Sequence, residues 1–115
     1  MSRVKSRKQR VELYLPLLYN PDSRGRRKAI PAELLRITKD ELTQYFAREG
    51  LSFEFVTRKR IYGEWKGIED EILLIKIDVR MKVSDPGWLK QYKELLKKRF
   101  EQEEIYIVYY DIIVV

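Results

Sequence analysis

The densest acidic cluster in this 115-residue chain is Glu69-Asp70-Glu71. Three carboxylates in a row are hard oxygen donors of the kind that hold Mg²⁺. In an extended segment, however, the middle one points away from its neighbours, so a solvated strand entrance is the simpler reading. The chain has neither cysteine nor histidine. That excludes disulfides, zinc ligand sets of the usual kind, thiol nucleophiles and Ser-His-Asp or Cys-His pairs, and leaves carboxylates, Lys, Arg, Tyr and Ser for any chemistry. The five glycines (Gly25, Gly50, Gly63, Gly67, Gly87) lie far apart, with no phosphate loop or dinucleotide fingerprint among them. No catalytic residue, metal site or cofactor is assigned, and the residue types favour a protein that is not an enzyme.

Pro21-Asp22 and Glu64-Trp65-Lys66 echo the Pro-Asp and Glu-x-Lys elements of restriction-type nucleases. Those elements belong on neighbouring strands, whereas here Asp22 is expected in a loop and Glu64 in a turn, so a metal-dependent nuclease is a discounted third reading.

Charge points elsewhere. The net charge is +6, and residues 1–28 carry nine basic groups against two acidic ones. The nine are Arg3, Lys5, Arg7, Lys8, Arg10, Arg24, Arg26, Arg27 and Lys28. They form a basic arm, residues 1–10, and a second run, Arg24–Lys28, neither with apolar periodicity, so both are expected to be unstructured or looped. As function, they would make sequence-independent contacts with nucleic-acid phosphates; as bland chemistry, they would be a solubilising tail and a solvated loop.

The elements that must position these groups follow from periodicity. Val11, Leu13, Leu15, Leu17 and Tyr19 alternate with Glu12, Tyr14, Pro16 and Leu18, which predicts a first strand. Thr38 and Glu41 have capping-box spacing, with Ile37 and Leu42 at the staple positions, and predict a helix over 39–49 stopped by Gly50. A short turn over Pro31–Leu35 would precede it. Strands are expected at Phe53–Tyr62 and Glu71–Lys82, joined by a turn around Gly63, Trp65 and Gly67. Ser84-Asp85-Pro86 opens a second helix striped by Trp88, Leu89, Tyr92, Leu95, Leu96 and Phe100, and Ile105–Val115 is a last strand. Strand, helix, strand, strand, helix, strand is the order of a ferredoxin-like βαββαβ sandwich, an α+β fold with an antiparallel sheet and two helices on one face. One such domain over 11–115 is expected.

From Gly63 onward the chain resembles a group of small uncharacterised prokaryotic proteins. The matching features are Gly63-x-Trp65, an acidic residue among Glu69–Glu71 opening an aliphatic strand, and Lys98-Arg99-Phe100-x-Gln102-Glu103 between the second helix and the last strand. The resemblance implies the same architecture and adds no catalytic residues.

With both helices on one face, the other face is expected to offer an apolar patch of Tyr14, Leu18, Ile72, Leu74, Tyr106 and Tyr110. Such a patch marks an interface, which predicts a homo-oligomer, with a two-fold dimer the commonest form. An aromatic platform for single-stranded nucleic acid competes with it, but lacks the Lys/Arg-Gly-aromatic signature. The longest apolar stretches fall far short of the ~20 residues that span a bilayer, so no membrane association is expected and a cytoplasmic location is. Abundant Lys, Arg and Glu with a single Asn resemble the composition of proteins from hot environments.

Overall fold

A computed structural model describes residues 7–65, 68–80 and 87–115, without side-chain detail for Arg7, Arg58, Trp65, Ile68 and Glu69. The elements are β1 (Arg7–Pro16), α1 (Ala32–Arg48), β2 (Phe53–Trp65), β3 (Ile68–Val79), α2 (Gly87–Arg99) and β4 (Tyr106–Ile113). The four strands form one antiparallel sheet in the order β2-β3-β1-β4. The chain is therefore of the α+β class.

The core follows from alternation. Val11, Leu13 and Leu15 on β1 and Ile75, Ile77 and Val79 on β3 point to one face and are buried. Leu42 and Phe46 of α1 and Leu89 and Leu96 of α2, with Phe100 just beyond, close over them in one cluster. Period two on the strands thus meets three- and four-residue spacing on both helices at the same face. At one end of this layer Trp88 stacks on Tyr45 at 4.3 Å between centroids and meets Phe46 edge-on at 5.5 Å.

Several boundaries differ from expectation. The first strand begins at Arg7, so the last four residues of the expected arm are strand. Arg3 and Lys5, like the cap at Ser84-Asp85-Pro86, lie outside the described residues. Helix α1 starts at Ala32 rather than Lys39, with Pro31 as its N-cap residue. Thr38 and Glu41 do not cap anything: the Thr38 hydroxyl donates to the Leu34 carbonyl at 2.8 Å within the helix, and Glu41 reaches across to α2. The i, i+3 spacing that suits a capping box also places two side chains on one helix face, and here it serves packing. The stop is as expected: Gly50 adopts φ 68°, with Leu51 N–H on the Phe46 carbonyl and Gly50 N–H on Ala47, a Schellman ending.

The β2–β3 hairpin is longer than the turn-forming residues suggested. Gly63, Glu64 and Asp70 are paired in the ladder, with Gly63 opposite Asp70 and Glu64 opposite Glu69. Gly63 is not there for a turn angle. A Cβ on it would stand 3.3 Å from Ile72 Cδ1, so the missing side chain makes room.

Candidate functional site

The nine basic residues separate into different roles. Lys8 lies 3.7 Å from Glu54, and Arg10 grips Asp78 with Nε at 2.7 Å and Nη2 at 3.0 Å. Arg27 donates to the Tyr19 carbonyl at 2.8 Å and to Asp70 at 3.0 Å. Among those whose side chains are described, Arg24, Arg26 and Lys28 are the ones left exposed, on a loop organised by Asp22. Asp22 accepts from the backbone N–H groups of Arg24 and Arg26, each at 2.8 Å, and those bonds hold its carboxyl below the usual range. Arg26 also places its Nε 3.2 Å from Asp22, so part of the loop's charge is cancelled. A shallow hollow of about 530 Å³ beside this loop mixes Arg26 and Lys28 with Asp22 and Glu101.

The open sheet face is built differently from the expected apolar patch. Successive rows across β2, β3, β1 and β4 read Glu54, Asp78, Arg10, Tyr110, then Thr57, Lys76, Glu12, Val108, then Lys59, Leu74, Tyr14, Tyr106. Glu12 accepts from the Tyr14 hydroxyl at 2.7 Å and, by a shorter bond, from Tyr110. Those two bonds lower the Glu12 pKa; the same carboxylate pushes the Tyr14 phenol up to about 12, and Tyr110 upward as well. Arg10 keeps Asp78 low, and Asp78 raises Arg10 in return. Glu12, Asp78 and Leu74 are all buried by their neighbours on this face, with no further layer over them among the described residues. Of the six expected interface residues, Tyr14 and Leu74 are therefore partly spent inside the face. Leu18 lies beyond β1, bridged to Ala29, and Ile72 faces a cavity. Tyr106 and Tyr110 remain exposed on the edge strand, at 60% and 39%.

The cavity arises where the sheet narrows. Pairing between β1 and β4 runs only as far as Tyr14 opposite Tyr106, while β1 continues beside β3 to Pro16 opposite Ile72. The vacant β4 position beside Pro16 opens a space of about 360 Å³. Its lining combines Tyr14, Pro16, Ile72, Gly63 and Tyr106 from the sheet with Pro21 and Ile105 from the connections. Glu64, Asp70, Glu103 and Glu104 are its acidic members, and no Lys or Arg lines it among the described residues. Gly63, Asp70 and Gln102-Glu103 converge here from three separate stretches of the chain, a convergence that no spacing announces.

Among the described residues no group of three His, Cys, Asp or Glu could hold an ion. Asp22 serves its own loop and Asp70 pairs with Arg27. The helix layer hides one polar cluster that sequence reasoning missed. Arg99 of α2 binds both carboxylate oxygens of Glu41, one at 3.0 Å and the other closer, and the Thr38 hydroxyl at 2.9 Å. Tyr92 adds a bond to Glu41 at 3.1 Å. No described helix is long and apolar enough to cross a membrane. Comparison of the chain with protein-family models, with curated proteins and with solved structures gives no match.

Proposed function

We propose that the chain is a non-enzymatic, self-associating ferredoxin-like module that forms a homodimer through the outer edge of β4. The element order and the strand order β2-β3-β1-β4 support the fold assignment. The dimer reading rests on the contrast between the two sheet edges. β2 carries Glu54, Lys59, Arg60 and Glu64 and is interrupted by a bulge between Phe55 and Thr57, the devices that keep an edge from pairing. β4, Tyr-Ile-Val-Tyr-Tyr-Asp-Ile-Ile, has one charge, Asp111, and leaves Tyr106, Tyr110 and Ile113 exposed. An edge of that length and composition is a template for another strand, and a two-fold axis through it would join two sheets into one of eight strands.

The electrostatics favour a binding rather than a catalytic role. Acid–base catalysts need pKa values drawn toward neutrality. Glu12, Asp78, Glu41, Tyr14 and Arg10 are all moved away from it, each held in its resting charge state by its partner.

Light scattering at micromolar concentration should give twice the 14.0 kDa chain mass. The double substitution Ile113→Lys and Val114→Lys, at exposed positions, should give the single-chain mass with an unchanged circular dichroism spectrum. A wild-type monomer would overturn the proposal.

Phosphate binding by the basic segments is the second reading. Its support is the exposed trio Arg24, Arg26 and Lys28. A salt series with random-sequence DNA and RNA tests it, since phosphate contacts give affinity that falls steeply with salt and shrinks when the trio is replaced by Ala.

A further inference from the structure

The net charge is +6, yet among the described residues the lining of the cavity at the end of β1 has four acidic residues and no Lys or Arg. Two of the four are neutralised from behind. Arg27 pairs with Asp70 at 3.0 Å, and Lys93 pairs with Glu104 at 2.7 Å. Glu64 and Glu103 have no ion-pair partner among the described residues. Negative potential therefore remains over a space whose walls are largely apolar: Pro16, Ile72, Ile105 and the Tyr14 and Tyr106 rings.

The hydrogen-bonding character is equally one-sided. The Tyr14 hydroxyl is spent on Glu12. Gln102 donates its side-chain N–H to the Phe100 carbonyl at 3.0 Å, and Asn20 donates to the Glu101 carbonyl at 3.4 Å. What the lining offers a ligand is chiefly acceptors, the carboxylates and amide oxygens, beside the exposed Tyr106 ring. Gly63 completes the shape, because any side chain there would crowd Ile72.

From this geometry we propose that the cavity binds a small organic cation, an amine or guanidinium head on a short apolar body. The head would sit beside Glu103, against the ring face of Tyr106 and with the exposed Glu64 at the rim, where cation–π attraction adds to charge attraction. The body would lie along Pro16, Ile72 and Ile105. A volume of about 360 Å³ lies near the lower end of the ~300–1,000 Å³ usual for small-molecule sites. Anions are disfavoured by the same carboxylates. The chemistry fits a free amine and equally a Lys or Arg side chain offered by a peptide.

Calorimetric titration of the full chain with benzylamine and agmatine, each followed by NMR of the Tyr14, Ile72 and Tyr106 resonances, tests this. Acetyl-arginine amide represents the peptide source, and benzoate and benzyl alcohol serve as anionic and neutral counterparts. The free amines, the peptide-like probe, or both should bind and shift those resonances, and the relative affinity identifies the source. Affinity should fall about tenfold in the double substitution Glu64→Gln and Glu103→Gln, and weaken with added salt. Glu49→Gln, on the far side of α1's last turn, should change nothing. Equal binding of benzoate or benzyl alcohol, undiminished affinity in the double variant, or no binding by any of the three cations would overturn the proposal. Dimer formation is read separately by light scattering, so failure of one proposal does not decide the other.

Discussion

The rings of Tyr14 and Tyr106 stand 5.1 Å apart between centroids, tilted by 57°, as the last cross-strand pair between β1 and β4. Beyond them the sheet loses its fourth strand. The same pair therefore marks where the exposed edge begins and where the cavity opens. Tyr14 is fixed from below by Glu12, while Tyr106 stays largely open to solvent. One ring is anchored and its neighbour is available.

That anchoring has a pH signature. The phenols of Tyr14 and Tyr110 are raised by their hydrogen bonds to Glu12, Tyr14 to about 12, against about 10 in an unfolded chain. Because the folded state favours the protonated phenols, their contribution to stability is complete below about pH 10 and is lost as pH climbs through the raised values. Glu12, Glu41 and Asp78 are lowered, from ordinary values of 4.5, 4.5 and 3.8. Their contribution is present above those values and disappears as pH falls through the depressed ones. Urea midpoints across pH should form a plateau that declines at both ends, and Glu12→Gln should move tyrosine ionisation, followed by ultraviolet absorbance, to lower pH. An alkaline limb unaffected by Glu12→Gln would show that the network does not act in solution.

Arg99 joins the two helices through Glu41 and Thr38, with its side chain only 16% exposed. Arg99→Ala should cost about 1–2 kcal/mol, less than a fully buried pair because Glu41 is partly solvated. Arg99→Lys should recover only part of this, since an ammonium cannot reproduce the two-pronged grip on the carboxylate. Denaturant unfolding of both variants checks the order, and equal stability of Lys and Arg at this position would contradict the bidentate geometry.

Glu101 ends α2 with φ 54°, the left-handed position that Gly50 fills after α1. Glu101 N–H reaches Lys98 and Gln102 N–H reaches Lys97, so the turn closes in the same way but without glycine. Glu101→Gly should therefore raise stability by about 0.5–1 kcal/mol. Thermal unfolding reads this directly, and a lower midpoint would mean that the side chain itself contributes more than the backbone strain costs.

Much of the architecture was legible because it is local. Val11–Leu15 and Ile75–Val79 alternate, the α2 stripe recurs at helical spacing, and Gly50 marks a helix end. Misreadings arose where one local pattern admits two tertiary uses. Thr38 and Glu41 resemble a cap, and only Arg99, 58 residues from Glu41, shows that they face another helix. Gly63 and Glu64 resemble a turn until Asp70 and Glu69 pair with them. The open face was expected to be apolar from Tyr14, Ile72 and Leu74, whereas register interleaves these with Arg10, Glu12, Lys76 and Asp78, and Arg10 bonds Asp78 while Glu12 bonds Tyr14 and Tyr110. The cavity was not legible at all, because it depends on two ladders that end at different residues.

The proposed self-association rests on the outer edge of β4. Amide hydrogen exchange over Tyr106–Ile113, followed as protein concentration rises, reads that edge residue by residue. The outward-facing amides of alternate residues should become protected with concentration while the β2 edge amides remain unchanged. Exchange along β4 that is fast and independent of concentration would contradict self-association through this strand.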